Sequence, residues 1–163
     1  MIHRIFQLSK LLASSLLLQK EKPMKVLIIE KDKTIRHSLS FFMERYKNYE
    51  VFLADSKREG IFLFKTNPFD IVLCGDCLPD GSGLEVLREW VNQNPKLISI
   101  LMTVQSDERL RQEALKAGIQ GYLVKPFDLK QLEEAIGISD SGMRLPATGR
   151  DCRIKQRKEV EKI

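Results

Sequence analysis

Apolar runs alternate with stretches of helical periodicity along the middle of the chain. Short apolar runs predict five buried strands, over residues 26–29, 51–53, 71–74, 97–102 and 121–124. Apolar residues at helical spacing predict five helices between and after them, over residues 33–45, 56–66, 84–91, 107–117 and 128–136. Continuous apolar strands that alternate with helices are typical of a parallel sheet covered on both faces. The pattern therefore predicts an α/β fold with a five-stranded, doubly wound parallel sheet.

Residues at the predicted helix ends agree with this pattern. Asp128 stands where an N-cap is needed, and Asp32 stands just before the first helix, where an aspartate commonly caps. Gly118 and Gly137 follow the last two helices, and glycine is the residue that most often ends a helix. These residues set the expected bounds of three helices.

Composition and charge limit the classes of function that the chain can have. Hydrophobic residues make up 43% of the 163 residues, which is enough for the packed core of one domain. The net charge of +5 belongs to the two ends, because residues 24–138 are close to neutral. Residues 24–138 therefore give no basic pattern of the kind that would predict specific binding of nucleic acid. Three cysteines (Cys74, Cys77 and Cys152) suit a reducing compartment, and we expect a cytoplasmic protein.

Two terminal segments flank the predicted domain of residues 24–138. Residues 1–23 are interpreted as a leader or added segment, with a short signal sequence or an amphipathic surface helix as alternatives. They contain no apolar run of the ~18–20 residues needed to span a bilayer. Residues 139–163 are charged, contain two glycines and a proline, and predict a flexible tail.

Four motifs stand in order along residues 24–138. They are Lys-Val-Leu-Ile-Ile-Glu-Lys-Asp (25–32), Leu-Pro-Asp-Gly-Ser-Gly-Leu-Glu (78–85), Met-Thr (102–103) and Ala-Leu-Lys-Ala-Gly-Ile-Gln-Gly-Tyr-Leu-Val-Lys-Pro-Phe (114–127). With these motifs the chain resembles the receiver domain of two-component response regulators. The resemblance implies a flavodoxin-like (βα)5 fold with strand order 2-1-3-4-5. It implies a signalling role rather than an enzymatic one.

A typical receiver accepts a phosphoryl group from a histidine kinase on an aspartate at the end of the third strand. Two acidic residues after the first strand help to hold Mg²⁺, and a lysine and a hydroxyl bind the phosphoryl oxygens. The resemblance assigns the lysine to Lys125, before a cis proline, and the hydroxyl to Thr103. It assigns the switch aromatic, which rotates with the threonine, to Tyr122, and it expects Val104 to crowd the site.

The acidic positions depart from the family pattern. Glu30 matches the first acidic position of the family, but Lys31 occupies the second. Asp32 is a weak candidate metal ligand, and its alternative interpretation is a helix N-cap. The phospho-acceptor position falls on Gly75, whether the count starts at Asp70 or at Pro79. We expect a site neutralised by Lys125 and Lys31 around Glu30, without a cofactor.

Asp76 keeps a phosphotransfer alternative open. A bulge at Gly75 would let Asp76 accept the phosphoryl group in a shifted position, and only then is Mg²⁺ expected. A one-residue step along a strand turns the side chain to the opposite face, which counts against this. A remote alternative is a thiol redox switch, because Cys74 and Cys77 form a C-x-x-C motif.

The leading hypothesis is an atypical receiver that acts as a phosphorylation-independent binding module. We expect its partner to be a histidine kinase or an output or regulatory protein. By analogy with receivers, we expect the docking surface to be residues 109–134, from Arg109 to Glu134. Dimerisation through this surface is an alternative.

Overall fold

A five-stranded parallel sheet forms the centre of the structure, a computed structural model that describes residues 22–46 and 48–137. Its strands are β1 (Met24–Ile29), β2 (Tyr49–Ala54), β3 (Ile71–Gly75), β4 (Ile98–Thr103) and β5 (Gly121–Val124). They lie in the order β2-β1-β3-β4-β5, which confirms the expected topology. The predictions for residues 1–21 and 138–163 lie outside the described residues.

Five helices cover the two faces of the sheet. They are α1 (Lys33–Glu44), α2 (Lys57–Thr66), α3 (Gly83–Gln93), α4 (Glu108–Lys116) and α5 (Leu129–Ile136). Side chains of α1 and α5 pack into one hydrophobic core, and side chains of α2, α3 and α4 pack into the other. None of these helices has the length and hydropathy that a membrane span requires.

The central strands supply both cores at once. Val26 and Ile28 face the core beneath α1 and α5, whereas Leu27 and Ile29 face the opposite core, and all four are fully buried. Alternate side chains of a strand point to opposite faces, so a strand buried on both sides must be apolar at every position. This explains why β1 and β3 are continuous apolar runs in the sequence.

The predicted capping residues act as caps. Asp32 Oδ1 accepts the Ile35 N–H at 2.9 Å, and Asp128 forms a capping box at the start of α5. Gly137 ends α5 with φ at 78°, in the left-handed region that favours glycine. The capping reading of Asp32 is therefore confirmed.

One core prediction is wrong. The apolar residues of 56–66 and Phe69 are most simply interpreted as core, Phe62 and Phe64 among them, but the Phe62 side chain is 66% exposed on the outer side of α2. Its neighbour Phe64 turns inward and stacks on Trp90 with the ring centroids 3.8 Å apart. Successive helical residues differ by about 100° in direction, so a run of apolar residues in a helix cannot all reach one core.

A small hairpin follows β3, in which Cys77–Leu78 pairs with Gly81–Ser82. At its tip the Asp80 carboxylate accepts the N–H of Lys57 at 2.7 Å and of Arg58 at 2.8 Å. Both hydrogen bonds lower the pKa of Asp80, and the one from Arg58 has the larger effect. Ser56, the N-cap residue of α2, makes no side-chain cap bond, so Asp80 caps α2 from the hairpin and fixes the loop that follows β3.

The first residue of α3 approaches the end of β3 closely. Gly83 N–H donates to Asp76 O at 2.7 Å, and a Cβ added at Gly83 would lie 2.0 Å from Gly75 O. Backbone cannot yield as a flexible side chain can, so this position requires glycine.

We therefore expect Gly83→Ala to lower the free energy of unfolding by about 2 kcal/mol or more, the scale of strain from overpacking. Gly60→Ala is the matched control, because its added Cβ meets side-chain atoms of Ile29, the nearest at 2.6 Å, rather than backbone, and the helix gains propensity. Urea unfolding followed by fluorescence of Trp90, the single tryptophan, measures both. Equal stability of the two variants would contradict the close approach at Gly83.

Candidate functional site

The carboxyl ends of four strands bring the candidate residues together. Glu30 follows β1, Gly75 ends β3 and is followed by Asp76, Thr103 ends β4, and Lys125 follows β5. Parallel strands all end at the same edge of the sheet, and in open α/β folds this edge is where binding sites lie. The Lys125–Pro126 peptide bond is cis, as the resemblance implies.

An ion pair between Glu30 and Lys125 occupies the middle of this edge. The Lys125 ammonium donates to Glu30 Oε2, and the Asp32 N–H donates to Glu30 Oε1 at 3.0 Å. The Glu30 side chain is 2% exposed and that of Lys125 is 15% exposed, so the pair is largely shielded from water. Both carboxylate oxygens of Glu30 therefore have partners.

The missing side chain of Gly75 makes room for this pair. In the sheet, β3 and β4 lie between β1 and β5, so the Glu30 side chain must pass over the end of β3 to reach Lys125. A Cβ added at Gly75 would lie 2.9 Å from Glu30 Oε2, which is closer than real Cβ atoms come. Any larger residue at position 75 would displace the Glu30 carboxylate.

Two basic residues near Glu30 differ from expectation. Lys31 was expected to pair with Glu30, but its side chain is exposed and takes part in none of the ion pairs between described residues. Arg36, which the sequence analysis missed, donates from Nη1 to Glu30 O and, at 3.3 Å, to Lys31 O. A basic residue one turn after the Asp32 cap was the available signal, and Arg36 fixes the backbone that carries Glu30.

Asp76 lies beside Thr103 rather than beside the lysine. Its Oδ2 is 3.5 Å from Thr103 Oγ1, the outer limit of a hydrogen bond, and its side chain is half-buried. Its N–H donates to Met102 O at 2.8 Å, so its backbone continues the contact of β3 with β4. Within the described part of the chain, the ion pair of Lys125 is with Glu30.

Tyr122 and Thr103 together fix the loop between β4 and α4. Tyr122 is 8% exposed, and its hydroxyl donates to Gln105 O at 3.0 Å, with Asp107 O at 3.4 Å. The Gln105 N–H donates to Thr103 Oγ1 at 3.0 Å. Burial makes the largest contribution to a raised pKa of Tyr122, and the charge of Asp76 makes the next largest. The phenol therefore stays protonated and acts as a donor.

Val104 differs sharply in exposure from the threonine before it. The Val104 side chain is 70% exposed, whereas Thr103 is 2% exposed at the end of β4. The expectation that Val104 crowds the site stays a prediction.

The donors at this edge do not fit a Mg²⁺ ion as they stand. Mg²⁺ prefers oxygen ligands in an octahedral arrangement, usually from carboxylates and water. Here the residue between Glu30 and Asp32 is the basic Lys31, both oxygens of Glu30 are engaged, and Asp32 is exposed and caps α1. Within residues 22–46 and 48–137, no three acidic, histidine or cysteine residues cluster as a metal site requires.

The two cysteines of the C-x-x-C motif differ in environment. Cys74 is fully buried in β3, whereas Cys77 is exposed in the hairpin. Burial makes the largest contribution to a raised pKa of Cys74, and the charges of Glu30 and Asp76 raise it further. The thiolate is the reactive form of cysteine, so this environment disfavours redox chemistry at Cys74.

Comparison with known proteins places this site in a family. The profile of the response regulator receiver domain matches residues 26–137. The response regulator ArlR of Staphylococcus saprophyticus is 31% identical over 108 residues, which are 66% of this chain and 48% of that protein. The transcriptional regulatory protein ZraR of Escherichia coli is 34% identical over 88 residues, which are 54% of this chain and 20% of that protein. The chain thus spans about half or less of these relatives.

Solved structures of receivers have the same fold. A CheY-like receiver domain protein from Methanospirillum hungatei matches with a TM-score of 0.65 and 28% identity, over 71% of this chain and 91% of that one. The non-phosphorylated HemR receiver domain from Leptospira biflexa matches with a TM-score of 0.64 and 30% identity, over 72% of this chain and 97% of that one. The chain therefore belongs to the response regulator receiver domain family of two-component signalling proteins.

Proposed function

We propose that this receiver domain is a protein-binding module that signals without a phosphoryl group and without catalytic activity of its own. The observation that carries the proposal is the Glu30–Lys125 ion pair, which lies in the space beside Gly75. If position 75 is the acceptor position, as the spacing of the motifs indicates, then the nucleophile is missing. A neighbouring glutamate then supplies the carboxylate that Lys125 needs.

Charge at the site supports this proposal. A phosphoryl group carries two to three charged oxygens and needs cations to bind it. In this chain the Lys125 ammonium is already neutralised by Glu30, and a phosphoryl group there would face the same carboxylate. Lys31 stands where a metal-binding acid would be needed, so we expect no Mg²⁺ dependence.

The switch residues support a fixed conformation. Tyr122 is buried and hydrogen-bonded to the loop before α4, and Thr103 accepts the Gln105 N–H from the same loop. Neither contact involves a group that phosphorylation would supply. We therefore propose that residues 109–134 keep one conformation and present it to a partner, either a histidine kinase or an output or regulatory protein.

The surface of residues 109–134 is suited to such a partner. It carries exposed apolar side chains, Leu115 at 44% and Leu129 at 51%, among charged residues such as Arg109 and Lys116. Transient protein interfaces commonly combine apolar and charged residues in this way. The same surface also suits a second copy of the domain, so we include a dimer among the partners proposed for it.

Phosphotransfer to Asp76 is the second candidate. It is favoured by the 3.5 Å separation of Asp76 Oδ2 from Thr103 Oγ1, because a hydroxyl beside the acceptor is one of the groups the reaction needs. It is disfavoured by the lysine, which pairs with Glu30 instead. The two candidates differ in whether Asp76 gains a covalent phosphoryl group.

Intact-mass measurement of the full chain after incubation with acetyl phosphate and Mg²⁺ separates the candidates. The proposal predicts no gain of a phosphoryl group, because Gly75 has no carboxylate and Lys125 pairs with Glu30 rather than with Asp76. Asp76→Asn is the control, and a receiver with an aspartate acceptor, treated in parallel, shows that the reagents are active.

Either kind of phosphoryl gain would contradict the proposal. A gain that Asp76→Asn abolishes would establish the shifted acceptor and restore a phosphorelay role. A gain that persists in Asp76→Asn would place the acceptor on another residue, and the binding module would again be the wrong function.

The ion pair also has a measurable effect on stability. Removing one partner of a buried pair costs roughly 3–5 kcal/mol, and because Lys125 keeps some contact with water we expect about 2–3 kcal/mol for Glu30→Gln. Glu113→Gln is the matched control, since its pair with Arg88 at 2.6 Å is exposed and such pairs contribute about 0–1 kcal/mol. Urea unfolding gives both values, and equal small losses would mean that the pair does not stabilise the fold.

A further inference from the structure

A groove between α1 and α5 lies outside the site described above. Its volume is about 470 Å³, and it is lined by His37, Ser38, Phe41, Phe42, Arg45 and Leu129. Phe41 is 73% exposed, more than any other large hydrophobic side chain in the described part of the chain. The sequence analysis missed Phe41, because helical spacing drew attention to its buried neighbours on α1.

The chain enters the domain at one end of this groove. Met24, the first residue of β1, packs against the same core as Phe42 and Tyr46, beneath α1 and α5. Its N–H donates to Asn48 O at 2.8 Å, and Asn48 follows α1 closely. Residues that precede Met24 therefore begin beside the C-terminal end of α1, where Arg45 borders the groove.

The sequence before β1 has the composition that an apolar groove binds. More than half of residues 2–18 are apolar, and none is acidic. Residues 19–23 link this segment to β1 and, when extended, reach up to ~17 Å. The groove runs along α1 from Arg45 to His37, a distance of ~12 Å at the rise of a helix. The segment is therefore long enough to cover the whole groove.

We propose that residues 2–18 dock in the α1–α5 groove of the same chain and cover Phe41 and Leu129. A tethered segment reaches its site at a high effective concentration, so modest contacts suffice to hold it there. Docking would remove from water both an exposed aromatic side chain and the apolar residues of the segment. The inference does not rest on Lys125 or on position 75, but docking would cover Leu129, which also belongs to the proposed partner surface of residues 109–134.

Charge gives this proposal a distinctive signature. The groove is bordered by Arg45, and the segment carries Arg4 and Lys10, so the two surfaces carry charge of the same sign. Apolar contact must then drive docking against a weak repulsion. Because salt screens charges that are exposed to water, added salt should strengthen the docking, whereas it would weaken a contact held by ion pairs.

Hydrogen–deuterium exchange of the full chain, read by mass spectrometry of its peptides, tests the proposal. We expect peptides from residues 2–18 to exchange more slowly than an unprotected peptide of the same sequence. Phe41→Asp should reduce this protection by about tenfold, the scale set by one buried aromatic side chain. Phe62→Asp is the matched control, because Phe62 is 66% exposed on α2, on the other face of the sheet, and should leave protection unchanged.

Three results would overturn the proposal. The first is unprotected exchange of residues 2–18 in the unaltered chain. The second is equal loss of protection in Phe41→Asp and Phe62→Asp, with Leu129→Asp as a further variant and Trp90 fluorescence to show that each is folded. The third is protection that rises with protein concentration or falls with added salt, which would indicate a second copy or an electrostatic contact instead.

Discussion

The ion pair between Glu30 and Lys125 is the interaction on which this site depends. It joins the ends of β1 and β5, which are separated in the sheet by β3 and β4. A Cβ at the end of β3 would lie 2.9 Å from Glu30 Oε2, and Gly75 leaves that space to the carboxylate. The absence of a side chain at Gly75 and the placement of Glu30 are therefore linked, and in this arrangement the lysine is paired.

The surrounding hydrogen bonds extend this arrangement to the loops. Arg36 holds the backbone at Glu30, and Asp80 holds the hairpin after β3 against α2. Tyr122 and Thr103 hold the loop before α4. Tyr122 and Thr103 are buried as well as hydrogen-bonded, and such groups resist rearrangement because breaking a contact leaves a buried polar group without a partner. These contacts support the proposal that the domain presents a fixed surface to a partner.

The pattern of the sequence predicted the parallel sheet, and the family resemblance implied its strand order and the residues at its edge. Continuous apolar strands and capping residues such as Asp128 depend on local rules, and motif spacing led to Lys125 and Thr103. The partner of Glu30 was harder to predict, because Lys31 is adjacent in sequence whereas Lys125 comes near only in the fold. Phe62 and Phe41 show a second limit, since composition reveals that a residue is apolar but not which side of a helix it occupies.

The most direct test of the account compares amide NMR spectra of the full chain before and after addition of Mg²⁺ and beryllofluoride, which mimics a bound phosphoryl group. The account predicts that the amide signals of Thr103, Tyr122 and Lys125 stay in place, because Glu30 already neutralises the lysine and no acceptor stands at Gly75. Saturable shifts of these signals would contradict it, since they would show that the site binds the mimic and that its switch residues still respond.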